Sequence, residues 1–117
     1  MKYSDVDTPS VLIDLDIVEA NIKKYQRYCN SIGLNLRPHI KTHKIPALAK
    51  LQLAEGAVGI TCQKISEAEA IISEGGIDDI LITYNIIGEK KLTRLLALAD
   101  RVKLSAVSYT HLRAHET

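Results

Sequence analysis

Apolar residues along this chain fall into two kinds of run. Short continuous runs read as buried strands, and spaced ones read as helix faces. Val11-Leu12-Ile13 is the first short run, after an extended entry set by Thr8-Pro9. Val18, Ile22, Tyr25, Cys29 and Ile32 then recur at helical spacing, on a helix that Gly33 would stop. Asp16 with Glu19 predicts a capping box at its start. Leu34 to Lys41 is the second strand, made irregular by Pro38, which cannot donate to a ladder. Pro46 suits the first turn of a helix over Ala47 to Leu53, ended by Gly56. Val58 to Cys62 is the third strand. Ser66 and Glu69 predict a second capping box, opening a helix through Ile72 to Gly75-Gly76. Asp79 to Thr83 is the fourth strand. Glu89 to Leu98 is a helix with Leu92, Leu95, Leu96 and Ala99 on one face, and Val102 to Ala106 starts a fifth strand.

Strands and helices therefore alternate with short connections, which implies a parallel sheet with right-handed crossovers. The repeat of roughly 20–25 residues is the size of one βα unit in a barrel or a doubly wound sheet. No Gly-x-Gly-x-x-Gly follows the first strand, which counts against the dinucleotide-binding version.

Composition narrows the function classes. The chain has 117 residues, enough for one small domain, and is 46% hydrophobic, so a core is feasible. A net charge of +1 gives no argument for nucleic acid or a membrane surface. Cys29 and Cys62 have neither metal-type spacing nor a disulfide framework. The N-terminus lacks an apolar signal core and no run is long enough to span a bilayer, so a reducing cytoplasm is expected.

The chemistry concentrates in Arg37-Pro38-His39-Ile40-Lys41-Thr42-His43-Lys44. In a strand, Arg37, His39, Lys41 and His43 would share one face. So many positive or titratable groups together are costly as filler. They point to a bound anion, or to a lysine amine kept partly neutral by its neighbours, as carbonyl chemistry needs. The alternative is a surface lysine among basic neighbours.

This stretch resembles the lysine motif of the D-threonine aldolase and D-serine dehydratase-like enzymes. The resemblance includes Thr8-Pro9-Ser10-Val11-Leu12-Ile13-Asp14 and Thr61-Cys62-Gln63-Lys64-Ile65-Ser66-Glu67-Ala68-Glu69, and runs from about Asp7 to about Ala106. It implies the N-terminal part of an alanine racemase-like (β/α)8 TIM barrel, fold type III, that binds pyridoxal 5'-phosphate (PLP). Residues 1–106 would be this partial barrel. Lys41 would be the Schiff-base lysine.

His39 and His43 would orient the lysine, contact the cofactor or transfer a proton; packed structural histidines are the alternative. Arg37 would hold an acidic group of the cofactor or a barrel carboxylate, the alternative being an ion pair with Asp14. Gln63 and Tyr84, with Asn85 beside it, sit at predicted strand ends that face a barrel mouth. For these, loop capping and rim packing are the alternatives. Cys62 and Cys29 read as buried apolar residues, not nucleophiles. Asp78-Asp79 and Glu67/Glu69 read as loop and helix-start charges.

The resemblance implies a lyase cleaving a β-hydroxy-D-amino acid to glycine and an aldehyde. A D-serine dehydratase-like lyase, an amino-acid racemase, a non-catalytic PLP-binding protein and an inactive fragment are the other readings. It also implies a homodimer at full length, and a divalent metal whose ligands lie outside this chain. Residues 107–117 break the βα pattern and resemble a translated sequencing-adapter tail, so the native gene is expected to continue past about Ala106.

Overall fold

Isoleucine decides where the sheet forms. The computed structural model describes residues 1–107. Three strands, β1 (Ile60–Cys62), β2 (Asp79–Asn85) and β3 (Lys103–Val107), pair in parallel in the order β1-β2-β3. The register sets Ile60 beside Ile80 and Leu104, then Thr61 beside Leu81 and Ser105, then Cys62 beside Ile82 and Ala106. Side chains alternate across a strand, so one face carries Ile60, Cys62, Ile80, Ile82 and Leu104. That face joins Ala68, Ile71, Ile72 and Leu98 in the core. The opposite face carries Thr61, Leu81 and Ser105, a less apolar set.

Four helices connect these pieces: α1 (Leu15–Ser31), α2 (Pro46–Ala54), α3 (Ile65–Ser73) and α4 (Glu89–Ala99). Each lies within a few residues of its expected span. Pro46 opens α2. Gly33, at φ +70°, takes the left-handed turn after α1, where Leu34 N–H donates to Cys29 O at 2.9 Å.

The caps differ from expectation. Asp14, not Asp16, caps α1: its Oδ1 accepts from the N–H groups of Asp16 and Ile17 at 3.0 and 3.2 Å. Asp14 is extended (φ −84°, ψ 106°), the geometry that lets a carboxylate reach into the first turn. The Ser66–Glu69 box does not form. α3 starts two residues earlier, with Lys64 at its N-cap, and Glu69 instead pairs with Arg94 of α4. On α4 the inward face is Leu92, Leu95 and Leu98, while Leu96 is 67% exposed. Leu96 and Ala99 face outward.

Two expected strands are missing or reduced. Val11-Leu12-Ile13 is extended but exposed, with Val11 at 93%. Among the described residues it pairs with no strand, and an apolar run is a strand only when a neighbour supplies its hydrogen bonds. Leu34 to Lys41 shortens to a single parallel bridge, His39 to Thr61. Thr61 N–H donates to Pro38 O at 2.8 Å and Ile40 N–H donates to Thr61 O at 3.0 Å. Pro38 has no N–H for the preceding rung, so the ladder goes no further as a regular strand. Val58 N–H reaches Leu36 O at 2.9 Å instead. The stripe on α1 is correspondingly half covered: Val18, Ile22 and Cys29 are half-buried, whereas Tyr25 and Ile32 are exposed.

β3 continues through Val107, one residue past the expected boundary at Ala106. The rest of the expected tail lies outside the described residues.

Candidate functional site

A parallel sheet brings all strand C-termini to one edge and all N-termini to the other. The 36–40 segment runs alongside β1, so the basic motif is divided between the two edges.

Arg37 belongs to the N-terminal edge. Its Nη1 donates to Asp79 Oδ1 at 2.8 Å, and lies 3.4 Å from the backbone oxygens of Ile60 and Asp79. Asp79 therefore takes the place of Asp14 as its ion-pair partner. The register explains this: Arg37 lies level with the first residues of β1 and β2, and Asp14 is at the start of α1. Lys103 Nζ approaches Asp79 Oδ2 at 3.7 Å. The Arg37 hydrogen bond holds the Asp79 carboxyl below its usual range; burial opposes this, and the charges of Arg37 and Lys103 add to it. Gly59 makes room for the guanidinium. A Cβ there would fall against Arg37 Nη1 and 2.6 Å from Asp79 O.

Lys41 belongs to the other edge. The chain leaves β1 at Ile40, a fully buried anchor, and turns over Lys41–His43. Lys44 N–H closes the turn on Ile40 O at 2.8 Å, and Lys44 takes φ +55°. Lys41 is exposed on this turn. The expected shared face is thus broken, because alternation applies only while the backbone is extended.

His39 is half-buried below Lys41, and its Nδ1 accepts from Lys41 N–H at 3.2 Å. Burial and the Lys41 charge lower its pKa, against an opposing effect of Glu67. His43 turns away. Its Nδ1 accepts from Ile45 N–H at 2.9 Å and its Nε2 lies 3.3 Å from Gln52 Oε1, so it caps α2.

Gln63 follows β1 directly and is exposed; its N–H donates to Glu67 Oε1 at 3.4 Å. Tyr84 is exposed near the end of β2, over a cleft of about 130 Å³ shared with Lys64, Ser66, Lys91 and Arg94. Asn85 ends β2, also exposed. The strand C-terminal edge therefore gathers His39, Lys41, Gln63 and Tyr84, and leaves Arg37 and His43 to structural tasks. Cys62 is fully buried at this edge, and burial, then Glu67, pushes its thiol up to about 12.

Glu67 is the residue that sequence reasoning missed. From the sequence it reads as a helix-start charge, yet it is 8% exposed. Its position three residues after Lys64 at the start of α3 was legible; its burial was not, since that depends on how α3 packs on β1. Among the described residues no group of three His, Cys, Asp or Glu side chains is placed to hold a metal. No helix among them is long and apolar enough to cross a membrane.

Comparison with known proteins gives the same frame. The family model "Alanine racemase, N-terminal domain" matches residues 13–117. The chain is similar to a D-threonine aldolase of Arthrobacter sp, 46% identical over 100 residues, covering 86% of this chain and 26% of that protein. It is similar to a D-threo-3-hydroxyaspartate dehydratase of Delftia sp. (strain HT23), 42% identical over 73 residues, covering 62% of this chain and 19% of that protein. The crystal structure of D-threonine aldolase from Filomicrobium marinum superposes with a TM-score of 0.85 at 43% identity, covering 89% of this chain and 28% of that one. The chain thus spans between 19% and 28% of the length of these relatives.

Proposed function

The chain belongs to the family of alanine racemase N-terminal domains, and from that premise we propose that it carries the cofactor lysine of a PLP-dependent lyase acting on β-hydroxy-D-amino acids. The fold is the first part of that family's (β/α)8 barrel. The observation that carries the reading is the placement of Lys41: an exposed amine on a tight turn, at the strand C-termini, anchored by the buried Ile40. Barrel enzymes do their chemistry at this end.

The residues fit the cofactor. An exposed primary amine stands beside a half-buried imidazole, whose Nδ1 accepts from the lysine's own N–H. Lys41 would hold PLP covalently, with His39, Gln63 and Tyr84 around it. Arg37, bound to Asp79 at the opposite edge, is left out of this proposed set. Bound PLP supplies an electron sink for charge at the substrate α-carbon. The chain's own part is to present the lysine, to lower the proton affinity of His39 by burial and the Lys41 charge, and to set the rim loop through Gln63.

Aldol cleavage gives glycine and an aldehyde; dehydration gives ammonia and a 2-oxo acid. The aldolase is the first reading, and the Delftia relative supports the dehydratase as the second. We place the enzyme in the cytoplasm as a homodimer, with any divalent ion held by ligands beyond this chain. The function test is incubation of the complete gene product with D-threonine. Glycine release that Lys41→Ala abolishes supports the aldolase; ammonia release supports the dehydratase. Neither product from D-threonine, D-serine or a hydroxyaspartate would overturn the lyase reading.

A further inference from the structure

β2 does not end as a regular strand. Ile80, Leu81 and Ile82 pair in step with Leu104, Ser105 and Ala106, but the next rung joins Asn85 to Val107. Between those two rungs β2 carries Thr83 and Tyr84, and β3 carries nothing. Irregularities of this kind re-aim the side chains that follow them, and they are common next to active sites.

The shift decides which residue β2 presents at the lysine edge. His39, Thr61, Leu81 and Ser105 are joined in register as one layer. Partners in register share a face of the sheet, here the face opposite to Ile60, Ile80 and Leu104, which pack in the core with the helices. Two residues beyond that layer, the 36–40 segment leads to Lys41 and β1 leads to Gln63. A β2 that stayed in step would place Thr83 at this level. The rung to Val107, two residues past Ser105, places Asn85 there instead. The neighbours of Asn85 agree. Tyr84 and Ile86 both line the cleft with Ser66 of α3 and with Lys91 and Arg94 of α4. Asn85 lies between them, exposed, and alternation turns it to the other face. It is two strand spacings, about 10 Å, across the edge from the segment that carries Lys41. A side-chain amide suits that place: it adds no charge beside the lysine, and its NH2 group can donate to an oxygen.

We propose that Asn85 is a binding residue for the lysine-held cofactor: the displaced end of β2 sets its amide across the mouth from Lys41, where the NH2 group donates to an oxygen of bound PLP. Thr83, moved out of the layer, takes no part. The inference rests on reading Lys41 as the cofactor lysine, and its test separates the two.

The complete gene product is loaded with PLP and dialysed, and retention is followed by the visible absorbance of the lysine-bound cofactor. Asn85→Ala should weaken retention about three- to tenfold, the loss of one hydrogen bond, while borohydride still fixes the label on Lys41. Asn85→Asp keeps the size but replaces the donor with an anion, and should weaken retention at least as much. Thr83→Ala should match the wild type. Denaturant unfolding of the cofactor-free proteins should be alike, because both side chains are exposed. Equal retention in wild type and Asn85→Ala, or an equal loss in Thr83→Ala, would overturn the proposal and leave Lys41 in its role. A wild type that carries no label on Lys41 would overturn that role, and the proposal with it. Asn85→Asp decides alone if Asn85→Ala does not fold.

Discussion

The two edges of the sheet are built from one motif and do opposite things. At the N-terminal edge Arg37 and Lys103 each lie within pairing distance of Asp79, and Gly59 is small because the guanidinium needs its space. At the C-terminal edge Lys41 is exposed and Glu67 keeps an unpartnered oxygen. The paired charge at the first edge ties the 36–40 segment to the start of β2. Four residues of sequence separate Arg37 from Lys41, and the parallel direction of the segment sends them to different ends.

The comparison breaks most sharply at Lys41. Lys41→Ala should abolish retention of PLP, read as loss of the visible absorbance of the lysine-bound cofactor, while stability stays within about 0.5 kcal/mol. Arg37→Ala should do the reverse: cofactor retained, and a destabilisation of about 1–3 kcal/mol in denaturant unfolding, because Asp79 and two strand carbonyls lose their donor. Gly59→Ala should destabilise by about 1–3 kcal/mol by pressing on the same guanidinium.

Acid sharpens the contrast by a smaller amount. The Asp79 carboxyl is held below its ordinary value of 3.8, so the folded state resists its protonation. Its contribution is fully present above that value and disappears as pH falls through the lower folded one. Wild type should therefore lose its advantage over Asp79→Asn progressively as pH falls below about 4 in pH-dependent melts. A constant difference across that window would remove Asp79 from the structural edge. The smallest effect concerns thiols: Cys29, half-buried, should react with a disulfide reagent before the fully buried Cys62.

The helices were legible because their signals are local. Gly33, Pro46 and the spacing of apolar residues act within a few residues of themselves. Strands were legible where an isoleucine run meets a partner, as at Ile80 and Ile82. They were not legible at Val11-Leu12-Ile13, whose status depends on a neighbour far along the chain. The same limit applies to the site. Lys41 stood out by its motif, yet the shared face with Arg37 and His43 assumed an extended backbone that ends at Ile40. Glu67 was hidden because its burial arises from the packing of α3 on β1.

Trapping the cofactor on the protein tests the central claim most directly. The complete gene product is loaded with PLP, reduced with borohydride and digested, and the labelled peptide is identified. The label should sit on Lys41, in the peptide that joins Ile40 to the start of α2. A label on Lys44, Lys64 or any other lysine, with Lys41 unmodified, would contradict the account.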